Sequence, residues 1–298
     1  MNNIKTVFSI KDLENLSGIK AHTIRIWEKR YQILEPMRTD TNIRLYDLSS
    51  LQKLLNISFL HEYGYKISKI ASYPETEIPE LVRQIVSAKN AKNHALNAFK
   101  MAMINFDQQL FFNTYDWLAS EKTFQEIFQQ VFLPLLDEIG LLWQTDTISP
   151  AHEHFISYLI RQKIILNSEK LQVLNPTKTN KVFVLSLPLN EIHELGLMYL
   201  HYEILSSGYQ SIYLGESMPV CYLKDLKKHF DNIVYVSCFT VKPDRDEINS
   251  YVQEMANELL DDSTELWFTG RLAALIRQEL FSEKISVFSA VEELLVRI

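Results

Sequence analysis

The 298-residue sequence predicts a multidomain α and α/β chain: a small helical head, a four-helix bundle, and a parallel sheet wound on both faces. Three observations carry that expectation. Charge is unevenly divided, with 11 Lys/Arg against 8 Asp/Glu in residues 1–75 and 19 against 29 in the remainder. Apolar residues recur at helical spacing from about residue 80 to residue 170. From Thr179 onward, short apolar runs alternate with helical patterns, which implies parallel strands covered on both sides. An apolar fraction of 47% supplies material for real cores. No run approaches the ~20 apolar residues of a membrane-spanning helix, and no charged-then-apolar leader opens the chain. The two cysteines, Cys221 and Cys238, have no paired spacing, so neither a disulfide scaffold nor a zinc site is indicated. The expectation is a soluble, cytoplasmic protein with no membrane partner. Its basic head carries a nucleic-acid surface, and its acidic body has another task.

In the head, Ser9 is placed to cap a short helix with Asp12 at its third position; Leu13 and Leu16 face inward and Gly18 stops it. A turn at Ile19 leads to a second helix, Ala21 to Arg30. Ile24 suits its buried side, while His22, Thr23, Arg25, Lys29 and Arg30 supply the polar contacts of a groove-entering helix. Residues 31–48 read as a hairpin, or wing, with Arg38 and Arg44 flanking a polar tip, and Asp47 or Ser49 starts the next helix. The run Thr23-Ile24-Arg25-x-Trp27-Glu28-x-Arg30-Tyr31, then Pro36-x-Arg38-Thr39, then Arg44-Leu45-Tyr46 resembles the winged helix-turn-helix head of MerR-family regulators, over about residues 7–72. The resemblance makes Thr23, Arg25, Arg30, Arg38, Arg44 and Tyr46 candidate contacts to double-stranded promoter DNA. Arginines there would grip phosphate, and helix side chains would reach base edges. Trp27 and Tyr31 read as packing residues.

A linker with Pro74 and Pro79 precedes the bundle. Its helical stripes are Leu81, Ile85 and Val86; then Leu96, Phe99 and Met103; then Leu110, Phe111, Tyr115 and Leu118. A further helix runs from Phe124 through Val131, Leu135 and Ile139, with a kink expected at Pro134. Ser149-Pro150 opens the last one, a capping serine before a proline at the first helical position. Trp143 ends one helix and Glu153-His154 lie in the first turn of the next, so all three side chains are placed to share a space at the bundle's end. They read equally as a closing tryptophan and a helix-dipole complement.

Strands are expected at 181–187, 211–214, 233–238, 265–269 and 285–288, with helices at 194–207, 219–230, 244–260 and 272–280. The first strand ends in Asn190-Glu191-Ile192-His193-Glu194-Leu195-Gly196. This loop sets a carboxylate and an imidazole two residues apart at the carboxyl edge of a parallel sheet, where such sheets bind ligands. A carboxylate there can fix the imidazole tautomer and raise its basicity.

Glu191-x-His193-x-x-Gly196, Tyr213-Leu214-Gly215 with Pro219, Ser237 and Thr269-Gly270 resemble cobalamin-binding domains of the methionine-synthase type. That family carries aspartate where Glu191 stands and a glycine pair where Thr269-Gly270 stands. The spacing Trp143-x9-Glu153-His154 is similar to the cap of light-responsive, adenosylcobalamin-dependent, MerR-class repressors of carotenoid genes. Gln144 stands where relatives can carry a histidine. The resemblance implies a DNA-binding head at 1–75, a four-helix cobalamin cap at 76–175 and a flavodoxin-like cobalamin domain at 176–298. It implies His193 as the lower axial ligand of cobalt, with Glu191 on its other nitrogen, and Gly196, Ser237, Thr269 and Gly270 around the cofactor. Trp143 would pack on the adenosyl group, with Glu153 bonded to it and His154 nearby. The implied function is not enzymatic: a homo-oligomer, dimer or tetramer, binds promoter DNA under adenosylcobalamin control and is released by light. Two alternatives stay open at this point. One is a regulator of this architecture that works through protein partners without cobalamin. The other is a methyltransferase-type cobalamin protein, for which the 298 residues leave no substrate domain.

Overall fold

The computed structural model describes residues 7–86, 91–145 and 147–298; the side chains of residues 83–86, 91, 92 and 144 lie outside the described set. The chain separates into two compact units, Met1–Leu159 and Ile160–Ile298.

The first unit opens with strand β1 (Val7–Ser9) and helices α1 (Ile10–Ser17) and α2 (Ala21–Tyr31). Helix α1 begins on the expected capping box: the Asp12 amide donates to Ser9 Oγ at 3.2 Å, and the Ser9 amide to Asp12 Oδ2 at 2.7 Å. It ends on Gly18 at φ 75°, a left-handed conformation that glycine adopts without strain. The wing is β2 (Met37–Arg38) and β3 (Arg44–Asp47), and all three strands form an antiparallel sheet in the order β1-β3-β2. Three residues are too few to show alternation, so β1 is not legible in the sequence. Its pairing of Phe8 with Tyr46 buries both rings. Asp47 caps α3 (Leu48–Glu62), accepting from the Ser50 amide at 2.8 Å, and α4 (Ile67–Ile70) completes the head.

Helix α5 (Ile78–Val86) leads to α6 (Ala91–Asn105), α7 (Gln108–Ala119) and a long helical stretch from Phe124 to Gln144. That stretch comprises α8 (Phe124–Ile127), a π-turn (Phe128–Phe132) and α9 (Leu133–Gln144). The feature expected at Pro134 takes this form: the Leu133 amide reaches back five residues to the Phe128 carbonyl, immediately before the proline that has no amide to offer. Phe99, Phe111 and Phe132 form the aromatic centre, with ring centroids 4.9 to 6.2 Å apart. Helix α10 (Pro150–Gln172) starts at the expected proline, but the Ser149 hydroxyl meets His152 Nδ1 at 2.9 Å instead of capping the backbone. The division between units falls inside α10. The later half of that helix is bonded to the sheet: Arg161 pairs with Glu194 and Gln172 with His201.

The second unit contains β4 (Lys178–Ser186), α11 (Leu195–Ser206), β5 (Tyr209–Gly215), α12 (Val220–Leu223), β6 (Ile233–Cys238), α13 (Ile248–Leu259), β7 (Thr264–Thr269), β8 (Ile285–Val287) and α14 (Val291–Arg297). All neighbouring strands are parallel, in the order β5-β4-β6-β7-β8, the flavodoxin-like arrangement. Val184, Tyr235, Leu266 and Phe268 face α12 and α13, whereas Phe183, Leu185, Val234, Val236 and Trp267 face α11 and α14. Each such aliphatic burial contributes about 1.5–3 kcal/mol, and the two layers make the sheet a rigid base.

Two expected helices are corrected. Residues 219–230 form the one-turn α12 followed by a 3₁₀ stretch, Lys224–Lys228. The expected helix at 272–280 is two 3₁₀ turns, Ala273–Leu275 and Gln278–Leu280. Asn249 Oδ1 takes the Arg277 amide at 2.9 Å, which removes that donor from a helical ladder. Among the described residues, no helix is long and apolar enough to cross a membrane.

Candidate functional site

Strand β4 ends at the point where strand order reverses, between β4 and β6, which is where open parallel sheets leave a crevice. The loop after β4 carries Glu191 and His193, and the loop after β6 closes over it. Glu191 is 0% exposed, and its carboxylate accepts six hydrogen bonds. Oε1 takes the Ile192 and His193 amides at 3.0 Å each and His193 Nδ1 at 2.6 Å. Oε2 takes the amides of Thr240, Val241 and Lys242 at 3.1, 2.6 and 2.8 Å. Burial pushes this acid up, but the Lys242 and Val241 amides and His193 outweigh it and bring its pKa down to about 2. Glu191 is therefore a fixed carboxylate. Its bond to Nδ1 sets the imidazole tautomer and leaves Nε2 as a lone-pair donor, on a side chain 51% exposed.

Sequence reasoning missed the second half of this clamp, because the backbone amides of 240–242 have no residue-type signature. The longer acid is the one available signal: it departs from the family's aspartate. Exposed Leu189, Ile192 and Val241 stand around His193 on the same two loops. The next residue, Glu194, is also held: Tyr213 donates to it at 2.7 Å and Arg161 pairs with it at 3.0 Å. Burial, with Glu194 beside it, raises the Tyr213 phenol well above its usual range.

The other expected cofactor residues divide. Gly196, in the first turn of α11, faces open space, since a Cβ there meets nothing within 4 Å. Gly270 is different: at φ +98°, its Cβ would lie 2.6 Å from the Phe239 carbonyl oxygen, so the protein's own backbone requires the glycine. Ser237 is buried and donates its hydroxyl to the Ser186 carbonyl at 2.9 Å. Thr269 is buried at the end of β7, where its carbonyl accepts the Phe239 amide at 2.8 Å.

In the first unit Trp143 is 54% exposed near the end of α9. Glu153 accepts from Ser157 Oγ at 3.1 Å and lies 3.5 Å from His154 Nε2. Among the described residues Trp143 shows no hydrogen bond or ring contact to either. The buried histidine of this corner is His152, stacked on Phe106 at 4.7 Å.

On the head, Arg25, Arg30 and Arg38 are exposed and Thr23 is half-buried beside His22. Tyr46 is corrected: it is fully buried, and its hydroxyl donates to Glu28. Arg44 binds the same carboxylate through Nε at 3.0 Å. Glu28 on the second helix thus ties down the wing, and Tyr46 is part of that support, with no surface for DNA.

Residues 8–75 match the family described as MerR HTH family regulatory protein, and residues 95–166 match the B12 binding domain. The two matches together support a DNA-binding regulator that binds cobalamin, with a head similar to MerR-type regulators. Among individual proteins, the chain is similar to the HTH-type transcriptional repressor CarH of Myxococcus xanthus. The two are 25% identical over 219 residues, which is 71% of this chain and 72% of the relative. The repressor CarA of the same organism is 24% identical over 243 residues, 79% of this chain and 73% of the relative. The solved monomethylamine corrinoid protein of Methanosarcina barkeri shares the fold. Its TM-score is 0.54 at 13% identity, over 68% of this chain and 96% of that one.

The residues present fit a corrinoid. His193 Nε2 would offer cobalt an imidazole nitrogen. The open face of Gly196 would leave room for the ring beside the loop.

Proposed function

We propose that this chain is a transcriptional repressor whose promoter binding is set by adenosylcobalamin, with His193 as the lower ligand of cobalt. The supporting observation is the Glu191 clamp. Six donors fix a buried carboxylate, that carboxylate fixes the imidazole tautomer, and Nε2 is presented at the crevice. When bound, adenosylcobalamin supplies a cobalt that accepts one imidazole nitrogen, and a cobalt–carbon bond that light can break. His193 binds cobalt through a ring nitrogen that carries no proton. Gly196 leaves space by the loop, and Leu189, Ile192 and Val241 offer an apolar rim. Trp143, Glu153 and His154 are assigned to the upper face on the strength of the family spacing. At the head, Thr23 and Arg25 face base edges, Arg30 and Arg38 grip phosphate, and Arg44 positions the wing. The protein acts as a cytoplasmic homo-oligomer, since linked heads add avidity on repeated half-sites. It has no catalytic role in this reading.

The test is purification with adenosylcobalamin in the dark, with a visible spectrum before and after illumination. Retained red colour in the parent and its loss in His193→Ala, with unchanged far-UV circular dichroism, is the expected result. Equal retention by both proteins removes His193 from the site.

A further inference from the structure

The head and the bundle meet at an unevenly packed joint. On one side Phe59 of α3, His94 of α6 and Trp117 of α7 meet edge to face, with centroids 5.6 to 6.1 Å apart. On another, Asn15 of α1 donates its side-chain amide to Thr147 Oγ1 at 2.9 Å and to Thr145 Oγ1 at 3.3 Å. Between them lies a polar cavity of about 240 Å³, lined by Asn15, Ser58, Glu62, Asn97, Lys100 and Glu138 among others. A sealed interface packs like a protein interior, whereas a joint with a cavity can re-seat on either of its contact sets.

The threonines are not ordinary loop residues. Thr145 follows Trp143 by two positions and is fastened to the last turn of α9. Its amide donates to the Leu141 carbonyl at 3.1 Å, and its hydroxyl lies 3.0 Å from Leu141 O and 3.2 Å from Leu142 O. Thr147 is fully buried, with its amide on the Leu142 carbonyl at 2.9 Å, and the two hydroxyls are 3.0 Å apart. The turn that carries Trp143 therefore cannot shift without moving both acceptors of Asn15. Asn15 lies on α1, which packs directly against the second helix of the head.

We propose that Asn15, Thr145 and Thr147 form the latch that passes the state of Trp143 to the DNA-binding head. This rests on the cobalamin-sensing reading given above. The latch makes the two binding events energetically coupled, and such coupling is reciprocal: cofactor alters DNA affinity by the same factor as DNA alters cofactor affinity.

The test uses the full-length chain and duplex DNA that the parent protein selects from a random library. DNA affinity is measured with and without adenosylcobalamin in the dark, for the parent, Asn15→Ala and Thr145→Val. Couplings between sites usually lie at ~5- to 150-fold. The parent should show a ratio in that range, and both variants should bring it toward one. Cofactor affinity without DNA, read from the visible spectrum, should stay within about twofold of the parent's, as expected for a lost coupling and not a lost site. Variants that keep the parent's ratio overturn the latch while leaving the sensor reading intact. A parent that takes up no cobalamin, or whose DNA affinity ignores it, overturns the sensor reading itself and the latch with it.

Discussion

Glu191 is the most heavily bonded side chain of the candidate site. Its six donors need an ionised acceptor, so Glu191→Gln leaves at least one buried amide poorly matched, at a cost of about 1–3 kcal/mol. The same change should weaken cobalamin binding about 10- to 100-fold, the usual effect of losing a ligand's orienting partner. Chemical denaturation and cofactor titration check the two effects separately. Gly270 makes a different prediction. With φ +98° and no space for a Cβ, Gly270→Ala should destabilise the second unit by several kcal/mol or abolish soluble protein, whereas Gly196→Ala should leave the fold intact. Melting curves of the two variants separate a glycine needed by the backbone from one that borders open space.

At the scale of elements, the wing and recognition helix form a unit through Glu28. Tyr46→Phe removes a buried donor to that carboxylate and should cost the head about 1–3 kcal/mol while leaving the salt dependence of DNA binding unchanged. Arg30→Ala should do the reverse, lowering DNA affinity and reducing the log–log salt slope by about one, as the loss of a phosphate contact does. The elements themselves were legible wherever a local rule governs them. Ser9 with Asp12, Asp47 before α3 and Pro150 at the start of α10 sit where capping and proline rules place them. The five strands of the large sheet fall within three residues of their expected starts. What the sequence hid depends on partners distant in the chain. Strand β1 exists only because β3 pairs with it, the 272–280 segment turns on Asn249, and Tyr46 is buried because Glu28 waits beneath it. The same holds at the site: the Glu191-His193 loop could be read, but the amides that hold it could not.

For the molecule as a whole, acid is a condition under which the second unit should lose stability. His201 is buried, with Nδ1 on Ser211 at 2.8 Å and Nε2 facing Gln172 at 3.0 Å, and burial lowers its pKa to about 4. The unfolded chain therefore binds this proton first as pH falls. Stability is full above the ordinary value of 6.5 and declines as pH drops from there toward 4, by an amount on the order of 3 kcal/mol. Glu191, with its pKa near 2, adds a second loss below the ordinary carboxylate value of 4.5. Urea unfolding followed at several pH values should show the first decline in the parent and a flatter profile in His201→Gln. A profile that does not change on substitution would assign the decline to other groups.

The π-turn at Phe128–Phe132 has a consequence of phase. A wide turn of this kind amounts to one residue more than an α-helix would hold, and each residue of an α-helix advances the side-chain direction by about 100°. The aromatic core contacts of Phe128 and Phe132 are made within that turn, while Trp143 lies beyond it. The extra residue thus works as a dial, setting which way Trp143 points relative to the core behind it. Deleting Gln129 should remove the extra residue and rotate the far end by about 100°. Trp143 would then leave the solvent face it now occupies, and its fluorescence would report the turn.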